Sequence, residues 1–148
     1  MKKQIVGILT VLGFAAVCVT PVLGEDLDAL AGKWSVQKTN EDGQRYTQQI
    51  EIKKNKFTFK IANPAGESQL YAEGDAKLDK AGPFKVIVFS NIKAGRSSSE
   101  TDSIDDTYTS IYKLDGDNTW MLVTNFDKDR ERQKPSLDVY HKATQAPK

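Results

Sequence analysis

The chain has 148 residues, with 21 Lys and Arg against 20 Asp and Glu, which gives a formal net charge of +1. This near balance excludes the strongly basic surface by which proteins bind nucleic acid or an anionic membrane. The length fits one domain and leaves little room for a second.

The first 24 residues have the layout of a cleavable secretory signal. Residues 1–3 (Met-Lys-Lys) are positive, residues 5–19 are uncharged and mostly apolar, and residues 22–24 (Val-Leu-Gly) precede two acids. The apolar run is shorter than the ~20 residues of a membrane-spanning helix. We therefore expect cleavage near Gly24 and a secreted or periplasmic protein without a transmembrane helix, a retained anchor being the alternative.

Cys18 is the only cysteine and lies inside this predicted signal. The mature chain would therefore have no disulfide framework. A lipid anchor at Cys18 is the alternative, but residues 15–17 (Ala-Ala-Val) lack the Leu and the small final residue expected of a lipoprotein signal.

Beyond residue 30 the chain alternates short runs of strand-forming residues with turn-forming residues, which is typical of an antiparallel all-β fold. Residues 56–61 (Lys-Phe-Thr-Phe-Lys-Ile) show this most clearly, because every second residue is apolar. The eight predicted strands cover residues 33–38, 45–53, 56–61, 69–78, 84–92, 105–114, 119–126 and 136–142.

Most of the connecting segments are short and rich in Gly, Pro, Asn and Asp, which favours pairing between consecutive strands. Two are longer, residues 93–104 and 127–135, and are predicted to be surface loops. Residues 25–142 are expected to form one domain, and residues 143–148 a flexible tail.

Eight short antiparallel strands bury their edges most completely by closing into an up-and-down barrel, although an open sandwich is the alternative. One apolar stripe on each strand would then face inward and form the core. The residues predicted to point inward are Trp34, Val36, Ile50, Ile52, Phe57, Phe59, Ile61, Val86, Val88, Trp120, Leu122, Leu137 and Val139.

Three segments, taken in order, resemble a known family. They are residues 30–34 (Leu-Ala-Gly-Lys-Trp), residues 42–43 (Asp-Gly) and residues 111–117 (Ile-Tyr-Lys-Leu-Asp-Gly-Asp). The family is that of the small secreted lipocalin-like, calycin-type domains of uncharacterised bacterial proteins, common in planctomycetes. The residues of the resemblance are Gly32, Trp34, Tyr112, Asp115 and Gly116.

The resemblance implies an eight-stranded antiparallel up-and-down lipocalin-like barrel with a short N-terminal helical turn, and it implies no established activity. Two features depart from the family pattern. Arg132 and Pro135 are separated where an Arg-Pro pair is expected, and Val88 follows Ile87 where an acid is expected.

Aromatic residues on the predicted strands are candidates for contact with a ligand, since each has a large apolar body and several have a polar tip. The alternative is that they form ordinary core, and for Trp34 that it closes the bottom of the barrel. The candidate ligand-binding residues are Trp34, Phe59, Tyr71, Tyr108, Tyr112 and Trp120.

Residues for catalysis or metal binding do not form a recognisable pattern. His141 is the only histidine and has no Cys to join it in a zinc site or a nucleophile pair. Asp102, Asp105 and Asp106 are close in sequence, as calcium ligands would be, but a solvated loop accounts for them. We therefore expect no enzyme activity, no metal and no cofactor.

The composition and the resemblance favour an exported, non-enzymatic binding protein that holds a small apolar ligand in a barrel cavity. The alternative is a protein-interaction or inhibitor module that grips an exported protein partner through residues 93–104 and 127–135.

Overall fold

The computed structural model describes residues 27–128 and 132–143, which form an all-β structure with almost no helix. The predicted signal over residues 1–24, with Cys18, and all but the first residue of the predicted tail lie outside the described residues. The strands are β1 (Gly32–Thr39), β2 (Arg45–Lys53), β3 (Lys56–Ala62), β4 (Ser68–Ala81), β5 (Phe84–Ser97), β6 (Glu100–Ile104), β7 (Tyr108–Asp115), β8 (Thr119–Thr124) and β9 (Ser136–Lys142).

The strands close into an antiparallel barrel of eight positions. The sheet order is β4-β3-β2-β1-β9-β8-β7-β5-β6, and an additional pairing of β4 with β5 joins its two ends. β6 and β7 share one position, because β6 pairs with the second half of β5 and β7 with the first half. The open sandwich is therefore excluded.

The prediction of a surface loop over residues 93–104 is wrong. β5 continues to Ser97, and β6 pairs back on it from Ser97↔Glu100 to Ile92↔Ile104. Strand pairing satisfies the hydrogen-bonding groups of the backbone in this polar segment. The segment therefore forms strands without an alternation of apolar residues. Of the second predicted loop, residues 127, 128 and 132–135 are described and lie outside the strands.

A β-bulge bends β4 and β5 against each other midway along their length. Their register shifts between Glu73 and Asp75, and Asn91 has a φ of 51°. A Cβ on Gly74 would lie 2.6 Å from the carbonyl oxygen of Ser90, so the close approach of the two strands requires glycine here.

One end of the barrel is filled by a group of large side chains that we call the floor. Leu30, Trp34, Ile52, Ile87 and Trp120 are all fully buried there. The indole N–H of Trp34 donates to the carbonyl oxygen of Leu30 (2.8 Å), in the turn that precedes β1, and the rings of Trp34 and Trp120 meet edge to face at 5.7 Å. The preceding turn thus closes this end of the barrel.

Two predicted inward stripes are out of phase. On β5, Ile87 and Phe89 belong to the core cluster, whereas Val86 and Val88 are also buried but lie on the other face. On β9, Asp138 faces the interior, whereas Leu137 is 57% exposed.

An apolar row on the outer face of the sheet explains why the predicted stripes of β5 and β9 do not face inward. Val86, Ile111, Val123 and Leu137 lie opposite one another in the registers of β5, β7, β8 and β9. This cross-strand apolar row stabilises the outer surface of the sheet. As a result, β5 has apolar residues on both faces, and β9 has Leu137 and Val139 on the outer face.

Candidate functional site

The half of the barrel opposite the floor contains a cavity of about 500 Å³. Its rim includes Leu70, Ile104 and Tyr108, which are 37%, 40% and 40% exposed, so the cavity reaches solvent at this end. The volume lies within the range of roughly 300–1,000 Å³ typical of sites for small ligands.

Strands β3, β4 and β5 supply what we call the apolar wall of this cavity. It consists of Phe57, Phe59, Ala72, Phe89 and Ile92. The rings of Phe57 and Phe89 pack at a centroid distance of 4.7 Å. The period-2 alternation of β3 places both of its phenylalanines on this inner face.

Strands β1, β2 and β9 supply the opposite side, which we call the polar wall: Lys38, Gln48, Asp138 and Tyr140. Lys38 Nζ lies 2.7 Å from Asp138 Oδ1, and the Tyr140 hydroxyl donates to Gln48 Oε1 at 3.1 Å. The side chain of Asp138 is only 10% exposed and that of Lys38 28%. A buried carboxylate of this kind requires a charged partner, and Lys38 provides it.

The Lys38–Asp138 ion pair also joins β1 and β9, the first and last strands of the chain. The β1–β9 register pairs Trp34 with Lys142 and Ser35 with His141, near the floor. Further toward the rim, the ion pair links β1 to β9 through their side chains. The ion pair therefore both lines the cavity and bridges the seam between β1 and β9.

Tyr140 lies where the polar wall meets the floor. Its ring packs against Trp120 at a centroid distance of 5.8 Å. Burial, together with the nearby carboxylate of Asp138, holds the pKa of Tyr140 well above the usual value of a tyrosine. Its hydroxyl, protonated at neutral pH like that of any tyrosine, stays protonated well into the alkaline range and donates its hydrogen bond to Gln48 within the wall.

At the rim, an aromatic ring and a cation lie together. Lys128 Nζ is 5.2 Å from the centroid of the Tyr108 ring and 3.9 Å from Asp106 Oδ1. Such contacts between exposed groups are weak. They hold Lys128 at the rim and leave the mouth of the cavity open.

The structure divides the six candidate ligand-binding residues into three groups. Phe59 and Tyr108 line the cavity. Trp34, Tyr112 and Trp120 belong to the buried core cluster and are not part of the lining. Tyr71 points the other way from its neighbour Ala72, and its hydroxyl donates to Glu73 Oε2 at 2.7 Å under the ammonium group of Lys60.

The residues of the family resemblance have structural positions. Gly32 has a φ of 116° at the start of β1, and Gly116 has a φ of 65° in the turn after Asp115, the last residue of β7. Both glycines occupy backbone conformations that other residues rarely adopt.

The sequence pattern did not single out the four residues of the polar wall: Lys38, Gln48, Asp138 and Tyr140. A signal for the first two was present, because Lys38 follows Trp34 at a spacing of four and Gln48 precedes Ile50 by two, which keeps each on the inner face. No such signal marked Asp138, since its apolar neighbours Leu137 and Val139 suggested the opposite phase.

Among residues 27–128 and 132–143, no group of three or more His, Cys, Asp or Glu side chains is arranged to hold a metal ion. The same residues include no helix that is long and apolar enough to cross a membrane. His141 is exposed on β9.

Comparison of the chain with protein-family models, with curated proteins and with solved structures finds no match. The resemblance to secreted lipocalin-like domains stays a prediction.

Proposed function

We propose that this protein is an exported, non-enzymatic carrier that holds a small, mostly apolar molecule inside a lipocalin-like up-and-down barrel with an N-terminal helical turn. The observation that supports it best is the cavity of about 500 Å³, open at the rim and bounded below by the aromatic floor. An apolar pocket with a few convergent polar groups is the usual form of a small-molecule site.

The two walls support a carrier more than a catalyst. The apolar wall offers the contact area of three phenylalanine rings, and burial of apolar surface is the main driving force for binding such a molecule. The ionisable groups of the polar wall are an ion pair and a tyrosine held in its protonated form. None of these is arranged as a nucleophile with an adjacent base in the part of the chain that the structure describes.

Export is part of the same proposal. It is supported by the charge and hydropathy of residues 1–24, which lie outside the described residues. We place the mature protein outside the cytoplasm, where a carrier would bind molecules from the periplasm or the medium.

Native mass spectrometry of the protein purified from the envelope or medium of its own host tests this proposal. We expect a reproducible extra mass that denaturation releases. The apo protein, stripped of ligand, should also bind the neutral dye N-phenylnaphthylamine saturably at one site per chain.

A clean apo mass combined with the absence of saturable dye binding would overturn the carrier proposal. The alternative of a protein-interaction module would then remain, without the predicted loop over residues 93–104, which is a β-hairpin.

A further inference from the structure

We infer that the cavity selects neutral amphiphiles: molecules with an apolar body and an uncharged head group that both donates and accepts hydrogen bonds, such as an alcohol. It should reject a carboxylate or an ammonium on the same apolar chain. This inference rests on the proposed carrier function and specifies its ligand.

The first support is the remaining hydrogen-bonding capacity of the polar wall. An ammonium group has three donors and an ionised carboxylate has about four acceptor sites. The Lys38–Asp138 contact uses one of each. A hydroxyl group that reaches this pair can accept a hydrogen bond from Lys38 and donate one to Asp138.

The second support is the charge of the wall. Lys38 and Asp138 lie 2.7 Å apart, so the pair has no net charge to attract an ion. The third charged lining residue, Lys128, lies at the rim, where Asp106 Oδ1 is 3.9 Å from its ammonium group. A carboxylate head would approach Lys38 with Asp138 beside it, and an ammonium head would approach Asp138 with Lys38 beside it. Either ion would lose hydration on entering the apolar cavity and meet a like charge at close range. A hydroxyl loses much less hydration free energy, which the two hydrogen bonds offset, and it carries no charge to be repelled.

The third support is the position of the walls on opposite sides of one cavity. Phe57, Phe59 and Phe89 lie on β3 and β5, and the ion pair lies on β1 and β9. A molecule that places its apolar body against the phenylalanines therefore presents its head to the ion pair.

Displacement of N-phenylnaphthylamine by decanol, decanoate and decylammonium at neutral pH tests the inference, because the three ligands share one chain and differ in the charge of the head. The wild-type protein, Lys38→Gln, Asp138→Asn and the double variant are compared. For the wild type we expect decanol to bind more tightly than either ion by about tenfold, which corresponds to about 1.4 kcal/mol.

The single variants should invert this selection. Asp138→Asn leaves Lys38 unpaired, so decanoate should become the preferred ligand. Lys38→Gln leaves Asp138 unpaired, so decylammonium should be preferred. The double variant, with two neutral amides, should again prefer decanol.

A purely structural role of the ion pair in the β1–β9 seam makes a different prediction. Loss of the bridge would then weaken all three ligands together and leave their order unchanged in every variant, and that result would overturn the inference. Tighter wild-type binding of either ion would also overturn it. Absence of binding by the dye and by all three ligands would instead overturn the proposed carrier function.

Discussion

The floor and the cavity are built from opposite ends of the same strands, and they differ in how completely their side chains are enclosed. β1 runs from Trp34, which is fully buried in the floor, to Lys38, which borders the cavity, within five residues. β9 runs in the opposite direction, from Asp138 in the polar wall to Lys142, whose ammonium lies over the Trp34 ring at 5.2 Å.

Because the floor is fully enclosed and the cavity walls border empty space, the floor should contribute mainly to stability and the walls mainly to ligand binding. A close-packed interior loses several kcal/mol when a large side chain is removed, whereas a side chain that borders empty space has fewer partners to lose. Substitutions in the floor should therefore lower stability, and substitutions in the cavity walls should mainly change ligand affinity.

Trp34→Ala should have the largest effect on stability. It removes a fully buried indole, its edge-to-face contact with Trp120 and its hydrogen bond to Leu30. We expect a loss of about 3–5 kcal/mol in the free energy of unfolding, measured by urea denaturation. Phe59→Ala is the matched control in the apolar wall: it should cost clearly less stability and weaken dye binding. Equal losses for the two variants would contradict the division into floor and cavity.

Two alanines on β4 test the same division by adding volume. Both belong to the buried core cluster, but Ala72 lines the cavity and Ala76 does not. Ala76→Leu should overpack the core and cost about 1–3 kcal/mol in the free energy of unfolding. Ala72→Leu should extend into empty space, change stability by less than about 1 kcal/mol, and lower dye affinity by more than about tenfold because it fills the site.

Thermal denaturation and titration with N-phenylnaphthylamine measure both quantities on the two variants. If Ala72→Leu kept full dye affinity, the dye would not occupy the cavity. If it were as destabilised as Ala76→Leu, the space beside Ala72 would be packed in solution.

Much of the strand pattern could be predicted from sequence, because alternation and turn residues act locally. Residues 45–53 and 136–142 match β2 and β9 at both ends. The segment 93–104 could not be predicted in this way, since Lys93, Arg96 and Glu100 give no apolar alternation. The second half of β5 also pairs with β4, from Tyr71↔Gly95 to Glu73↔Lys93, a contact that the sequence of the hairpin does not encode.

The candidate site was harder to predict than the fold. The predicted phase of β9 placed Leu137 inward, by the general rule that apolar residues are buried. The structure places Asp138 there, where Lys38 from the other end of the chain compensates its charge. Local rules fail where a polar group faces a cavity, and such failures are expected at functional sites.

The smallest effect is expected on the outer face of β4, at Tyr71, which was a candidate ligand-binding residue. Burial and the hydrogen bond to Glu73 raise the pKa of Tyr71 from 10.0 to about 12. Between these values the unfolded chain loses this proton and the folded chain keeps it, so the contribution is complete below pH 10 and is lost as the pH rises to about 12. Urea denaturation across this window should show a shallower loss of stability for Tyr71→Phe than for the wild type. The remaining slope should include Tyr140, whose pKa is also raised.

Dye binding by Tyr71→Phe at neutral pH should be unchanged, because the Tyr71 side chain does not line the cavity. A loss of affinity in this variant would mean that the outer face of β4 takes part in binding.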